Sequence, residues 1–423
     1  MFSIPDENTR IATVDGETTT FQKGNPFSKR NRLCSIGISD ASGYSDYDIE
    51  YSALPYGAQL GKIKRRLEEA ELVIGFNIKF DLHWLRRYID DLDIALVWDC
   101  QLAEFILDGQ SNPYPSLANT AAKYALRGKL DIVASEYWAK GIDTPEVPWD
   151  ILTEYQQQDV VTTREVYEKQ VEQFRHLPNL YNTFVMQCKD LLILQEAEFQ
   201  GMLLDTELAA QRSKACEEEI GSIKQQLAKL SGSTCINWNS PDHLSVFLYG
   251  GIISERVRVP TERKLKDGTI KVGEKWGLAD IEFPRLVEPP KRGEHEATRG
   301  MPDEQLAALN RQRVADGKRP IQRLWKTDEP TLRALNVKKK SLKQIIDLVL
   351  RFSELDKLNG TYYAGLPKKI KDMDWSDGQL HGNFNQCVVA TGRLSSSNPN
   401  LQNLAGESKA LYVSRYNGDE RCS

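Results

Sequence analysis

Two short apolar runs in the first eighty residues stop on polar side chains, and that pattern narrows the fold before anything else does. Ile11-Ala12-Thr13-Val14 ends at Asp15, and Leu72-Val73-Ile74-Gly75-Phe76 ends at Asn77. Apolar runs of that length bounded by polar residues suit buried strands, not helices. Leu33-Cys34-Ser35-Ile36-Gly37-Ile38 alternates as a paired strand does. Residues 58–71 and 150–174 have the composition of helices, the second one long. Strands interleaved with helices predict an α/β domain, a mixed sheet flanked by helices with polar residues collected at strand ends. Asp99, which precedes Leu102, Phe105 and Ile106 at helical spacing, reads as an N-cap.

The rest of the 423 residues has room for about two more domains. Residues 181–230 read as helical, broken at Gly201 and stopped at Gly232. Ser240-Pro241 sets an N-cap followed by proline at the first helical position, and that helix ends at Gly250-Gly251. Residues 252–325, rich in Gly, Pro, Lys and Arg, are expected to form an extended or partly mobile insertion with Lys266-Asp267-Gly268-Thr269 as a hairpin turn. A helix resumes at 341–357, and a strand-like tail follows from Leu380.

Net charge is −5, but it is unevenly spread. Between Arg256 and Lys343 there are 22 basic and 13 acidic residues, so that stretch is +9 and the remainder −14. An acidic part suits cations and a basic part suits phosphates, although a solvated loop has the same signature. The seven cysteines stand singly, without a Cys-x-x-Cys pair, and the five histidines are dispersed. That excludes a zinc ribbon and points to a reducing compartment, the cytoplasm. No run of 18 apolar residues is present, so no membrane partner is expected.

The candidate chemistry lies in three acidic motifs. Asp15 and Glu17, two apart on a strand, share one face. Asp81 follows the buried strand in Asn77-Ile78-Lys79-Phe80-Asp81. Tyr155 and Asp159 stack at i and i+4 on the long helix. Cutting a phosphodiester with two divalent cations needs carboxylates from separate segments at one point. In that role Asp15 would bridge both metals, Glu17 and Asp159 would each serve one, Asp81 would reach the second, and Tyr155 would hold the attacking water. Each motif alone also fits a surface strand, a helix cap or a core tyrosine.

In order and separation the three motifs together resemble the DEDD family of 3′→5′ exonucleases, in the subgroup with a tyrosine in its third motif. The resemblance implies a ribonuclease-H-like fold, Mg²⁺ or Mn²⁺ as cofactor, and hydrolysis of single-stranded 3′ ends. Farther on, His381-Gly382-Asn383-Phe384-Asn385-Gln386 and Thr391-Gly392-Arg393-Leu394-Ser395-Ser396-Ser397-Asn398-Pro399-Asn400-Leu401-Gln402-Asn403 closely resemble the start of the palm in family A DNA polymerases. Ile236-Asn237-Trp238-Asn239-Ser240-Pro241 resembles that family's thumb tip, and Lys357-Leu358-Asn359-Gly360-Thr361-Tyr362 its return to the palm. The implied domains are an exonuclease at 1–175, a mostly helical thumb at 176–360 and an incomplete palm at 361–423.

Arg393 has the donor fork for a base edge or a phosphate, and in the family the matching arginine contacts the primer-terminal pair. Asn77, Lys357, Asn359, Thr361, Asn385, Gln386, Thr391, Ser395, Asn398, Gln402 and Asn403 join it as expected DNA contacts. The family's polymerase carboxylates lie beyond the Thr391–Asn403 string, and this sequence stops at Ser423. The expectation is therefore the N-terminal, proofreading portion of a phage-like replicative polymerase, split or truncated. A second polypeptide would carry the remaining palm and fingers, and its strands would complete the sheet begun after Leu380. Extra thumb elements recruit partners in phage members, which adds a processivity factor at the basic insertion. A non-catalytic DNA-binding subunit and a free-standing exonuclease are the alternatives.

Overall fold

The computed structural model describes residues 3–51, 57–128, 131–264 and 270–414. Its first sheet is built from β1 (Ile11–Thr18), β2 (Leu33–Asp40) and β3 (Gly43–Asp48). Helix α1 (Gly57–Glu69), β4 (Leu72–Gly75), α2 (Ile78–Tyr88) and β5 (Val97–Asp99) follow. The strand order is β3-β2-β1-β4-β5, antiparallel through β1 and parallel from β1 to β5. The mixed α/β reading therefore holds for this part. One detail differs, because Asp15 lies within β1 and not at its end. The ladder to β2 continues through Asp15↔Gly37 to Thr18 and tolerates two acidic residues in mid-strand.

Helices α3 (Cys100–Leu107), α4 (Leu117–Lys123), α5 (Ile132–Glu136), α6 (Trp149–Arg175) and α7 (Pro178–Gln200) complete the layer. The Asp99 carboxylate caps α3, accepting from the amides of Gln101 at 2.8 Å and Leu102 at 3.2 Å, as its spacing predicts. Helix α6 packs on β1, β2 and β4, and α7 on α2, α3 and β5. Buried Trp98 of β5 ties these layers together, its ring centroid 4.9 Å from Tyr167 and 4.6 Å from Phe184. Edge-on aromatic pairs of this kind add about 0.5–1.5 kcal/mol each beyond area burial.

Residues 1–209 and 363–423 form one compact unit, and 210–362 another. The sequence boundary at 175 thus falls inside the first unit, since α7 buries Tyr181, Phe184, Val185, Cys188 and Leu191 there. The second unit takes in most of α8 (Thr206–Ser231), followed by α9 (Pro241–Tyr249), whose N-cap Ser240 accepts from His243 N–H. Strands β7 (Gly251–Lys264) and β8 (Ile270–Phe283) then pair antiparallel over fourteen residues each. Helices α10 (Asp303–Ala315), α11 (Glu329–Ala334) and α12 (Lys340–Leu358) end the unit. The insertion at 252–325, expected to be extended or partly mobile with a hairpin turn inside it, is a long hairpin followed by a helix. The expected turn, Lys266-Asp267-Gly268-Thr269, lies outside the described residues. No helix among the described residues is long and apolar enough to cross a membrane.

In the first unit β6 (Met202–Leu204) follows α7, and the returning chain adds α13 (Gly365–Met373), β9 (Gln379–Leu380), β10 (Asn383–Asn385), β11 (Ser395–Ser397) and β12 (Tyr412–Val413). β6 lies between β9 and β12, and β10 pairs with β11. The segment after Leu380, expected to look outside the chain for strands, finds partners within it. Gly201 permits the approach: its φ is +61°, and a β-carbon there would sit 2.6 Å from the Leu380 carbonyl oxygen.

A buried polar knot fixes this returning segment to α2. Glu198 is 1% exposed, and its carboxylate accepts from Lys79 Nζ at 2.7 Å, His83 Nε2 at 2.8 Å and the Phe384 amide at 2.5 Å. Lys79 also donates to the Phe384 carbonyl at 2.6 Å. Gln195 Nε2 donates to His83 Nδ1 at 3.2 Å, which leaves the ring proton on Nε2 facing Glu198.

Candidate metal centre

Alternation along β1 sends Asp15 and Glu17 to one side of the sheet, and α6 is laid across that side. Ligand atoms of Asp15, Glu17 and Asp159 lie within 4.8 Å of one another. Glu17 and Asp159 are buried, at 6% and 2% exposure. Three carboxylates at that spacing form an all-oxygen donor set, which suits a hard divalent cation. The residues present fit such an ion.

Asp81 lines the same cavity of about 350 Å³ but stands outside that three-residue cluster. Its Oδ1 accepts the Gly16 amide at 3.0 Å, between Asp15 and Glu17. Gly16 keeps this approach close: a β-carbon there would lie 3.2 Å from that oxygen and 3.1 Å from Ile36 Cδ1, so both side chains would have to give by a few tenths of an ångström. Burial, then the neighbouring Asp15 charge, push the Asp81 carboxyl well above its usual range. Tyr155 is buried at 2% and lines the cavity. Burial, followed by the charges of Glu17, Asp159 and Asp15, drives its phenol far above the ordinary tyrosine value. It is held as a hydrogen-bond donor at any working pH.

Several positioning residues escaped the sequence reading. Gln156, fully buried between the two motif residues of α6, donates to the Asp15 carbonyl at 3.0 Å and accepts from Ser35 Oγ at 3.0 Å. It pins α6 to β1 and β2 at the level of the cluster. A buried glutamine in the helix was the available signal, but its partners lie 121 and 141 residues away. Gln156→Leu strips those groups of their partner and should cost about 1–3 kcal/mol, measured by urea denaturation against wild type. Trp138 Nε1 donates to Thr144 Oγ1 at 3.1 Å, which donates to the Thr18 carbonyl at 2.6 Å, so the indole is fixed on the cavity wall. Asn77 also lines the cavity, with φ +60° and its amide on Asp99. Burial pushes the Asp99 carboxyl up to about 6.

The cavity rim is strained. Gln22, Lys23 and Gly24 have φ of 48°, 60° and 68° in succession. The left-handed region costs a non-glycine residue roughly 1–2 kcal/mol, so the surroundings must impose it. Trp84 Nε1 donates to the Gly24 carbonyl at 3.2 Å, Asn31 Nδ2 to that of Phe21 at 2.8 Å, and the Thr20 amide to Asp143 at 2.8 Å.

The remaining candidate contacts are placed as follows. Asn385 Nδ2 donates to Ser397 Oγ at 3.1 Å, and Gln386 Nε2 to the Gln187 carbonyl at 2.9 Å. Thr391, Arg393, Asn398, Gln402 and Asn403 are exposed and Ser395 half-buried. The amides of Gln402 and Asn403 are held by Asn400 Oδ1 at 3.0 and 3.3 Å. Lys357 ends α12, and Asn359 and Thr361 follow it in the other compact unit.

Comparison with known proteins matches residues 7–174 to the 3'-5' exonuclease family and residues 303–415 to DNA polymerase family A. The DNA polymerase of Bacillus phage SP01 is 25% identical over 425 residues, covering 97% of this chain and 43% of that protein. DNA polymerase I of Bacillus subtilis (strain 168) is 24% identical over 313 residues, covering 73% of this chain and 27% of its own. The chain thus spans less than half the length of either curated relative. Among solved structures, the POL domain of Pol1 from M. smegmatis, in complex with DNA primer-template and dNTP, aligns with a TM-score of 0.61 at 16% identity. That alignment covers 95% of this chain and 53% of the other, a likeness of fold.

Proposed function

This chain is a family A DNA polymerase-like protein with a 3'-5' exonuclease domain, and from that premise we propose that it hydrolyses DNA from the 3′ end in the cavity between β1 and α6, as a proofreading activity. The observation that carries the reading is the convergence of Asp15 and Glu17 with Asp159, which lies 142 residues beyond Glu17 in the sequence. A ribonuclease-H-like fold for residues 1–175 agrees with the strand order but rests on the family resemblance.

Asp15, Glu17, Asp159 and Asp81 would hold two divalent cations, Mg²⁺ or Mn²⁺. When bound, these supply water activation and charge stabilisation at the departing 3′ oxygen. Asp81, which accepts the Gly16 amide here, would have to turn from it to join that set. Tyr155, a protonated phenol, orients the attacking water by donating to or accepting from it. Phe76, Phe80 and Trp138 line the same cavity and give the terminal base an apolar wall. The exposed Thr391, Arg393, Asn398, Gln402 and Asn403 are proposed to face a DNA backbone, with Arg393 the strongest single contact.

The test is digestion of a 5′-labelled single-stranded oligonucleotide with Mg²⁺. A ladder shortening from the 3′ end, abolished by chelator, is the expected result. An intact oligonucleotide across a Mg²⁺ and Mn²⁺ titration removes the proposal.

A further inference from the structure

The left-handed run at the cavity rim places a charge where the carboxylates do not account for it. Among the described residues that line the cavity, Lys23 is the one cation, facing four carboxylates. Its side chain is exposed, so it does not pack to stabilise the loop. Its backbone is in the left-handed region, which glycine adopts at no cost and lysine does not. Trp84, Asn31 and Asp143 anchor the carbonyls and amides on either side, which holds the Lys23 backbone at the cavity rim. Strain retained at a rim position that presents an exposed ammonium has the character of a ligand contact.

We propose that Lys23 is a substrate-positioning residue that binds a backbone phosphate of the single strand entering the cavity. This rests on the exonuclease reading for the identity of the strand. A polyanion approaching a wall of carboxylates is repelled until cations intervene, and an ammonium at the mouth offsets that repulsion without ligating metal. A phosphate diester fits the site's chemistry, since a flexible ammonium recognises it as a point charge without needing a fixed fork.

The test uses Lys23→Gly, Lys23→Arg and wild type in the full chain. Glycine removes the side chain while relieving the backbone, so Lys23→Gly should melt at or above the wild-type temperature. A fall in oligonucleotide affinity then cannot come from misfolding. Binding of a labelled oligothymidylate is followed by anisotropy in Ca²⁺ across a salt series, and digestion in Mg²⁺ is run in parallel. Lys23→Gly should bind about tenfold more weakly, with a salt slope shallower by about 0.7. In digestion KM should rise while kcat holds, and Lys23→Arg should keep affinity and KM near the wild-type values. Equal affinity and slope in wild type and Lys23→Gly overturn the proposal, as does a wild-type protein that does not bind the oligonucleotide. Failure of the exonuclease reading shows separately, as binding without metal-dependent shortening, and leaves the affinity comparison standing.

Discussion

Asp15→Asn is expected to slow 3′-end shortening by about a thousandfold while leaving the protein folded. The residue belongs to the three-carboxylate cluster and lies beside Asp81, whose pKa its charge raises. Carboxylates that hold the reaction's cations are worth several kcal/mol of charge stabilisation. About 4 kcal/mol corresponds to three decades of rate. Amide replacement keeps the shape and removes a charge from a crowded anionic pocket, so in chelator the variant should melt at or above the wild-type temperature. Gel ladders at matched protein concentration, beside thermal melts, check both halves. A variant that digests at the wild-type rate would place the chemistry elsewhere.

Glu198→Ala should be the most damaging substitution away from the cavity, lowering stability by about 3–5 kcal/mol. It leaves buried His83, half-buried Lys79 and the Phe384 amide without their common acceptor. Burial alone would raise the Glu198 pKa, but the hydrogen bond from His83 and the Lys79 charge prevail and hold it below the usual carboxylate value. Burial likewise holds His83 below the ordinary histidine value, so it is neutral at pH 7. Both groups have depressed folded pKa values. Their contribution is full above the unfolded values, near 6.5 for the histidine and 4.5 for the glutamate, and is lost as pH falls through the folded ones. Wild-type stability should therefore decline below about pH 6.5, and the gap to Glu198→Ala should narrow below about pH 4.5. Urea denaturation at pH 7, 5.5 and 4 reads the effect. A constant gap across that range would remove the carboxylate from the account.

Local rules carried much of this. The apolar runs gave β1 and β4, Asp99 announced its helix, and the four-residue spacing of Tyr155 and Asp159 placed both on the cavity side of α6. What stayed hidden depends on distant partners. Nothing near Glu198 indicates that residues 79, 83 and 384 converge on it, and Gln156 resembles any polar helix residue until β1 is beneath it. A hairpin turn at Lys266–Thr269 was legible, but composition hid the fourteen-residue strands on either side of it. Pro260 argues against a central strand, but a two-stranded ribbon has only edges, where a missing amide donor is tolerated. Strain at Lys23 is invisible as well, since lysine carries no preference for positive φ.

The small sheet around β6 also sets the order of assembly during synthesis. β6 ends at Leu204 and one neighbour, β9, begins at Gln379, with the whole second unit translated between them. At ribosomal speeds of about 5–20 residues per second the nascent first unit waits roughly 10–35 s for that strand. During the wait both edges of β6 stay open, a period in which chaperones have something to hold. The interposed unit, drawn from one continuous stretch of chain, is the one free to finish first.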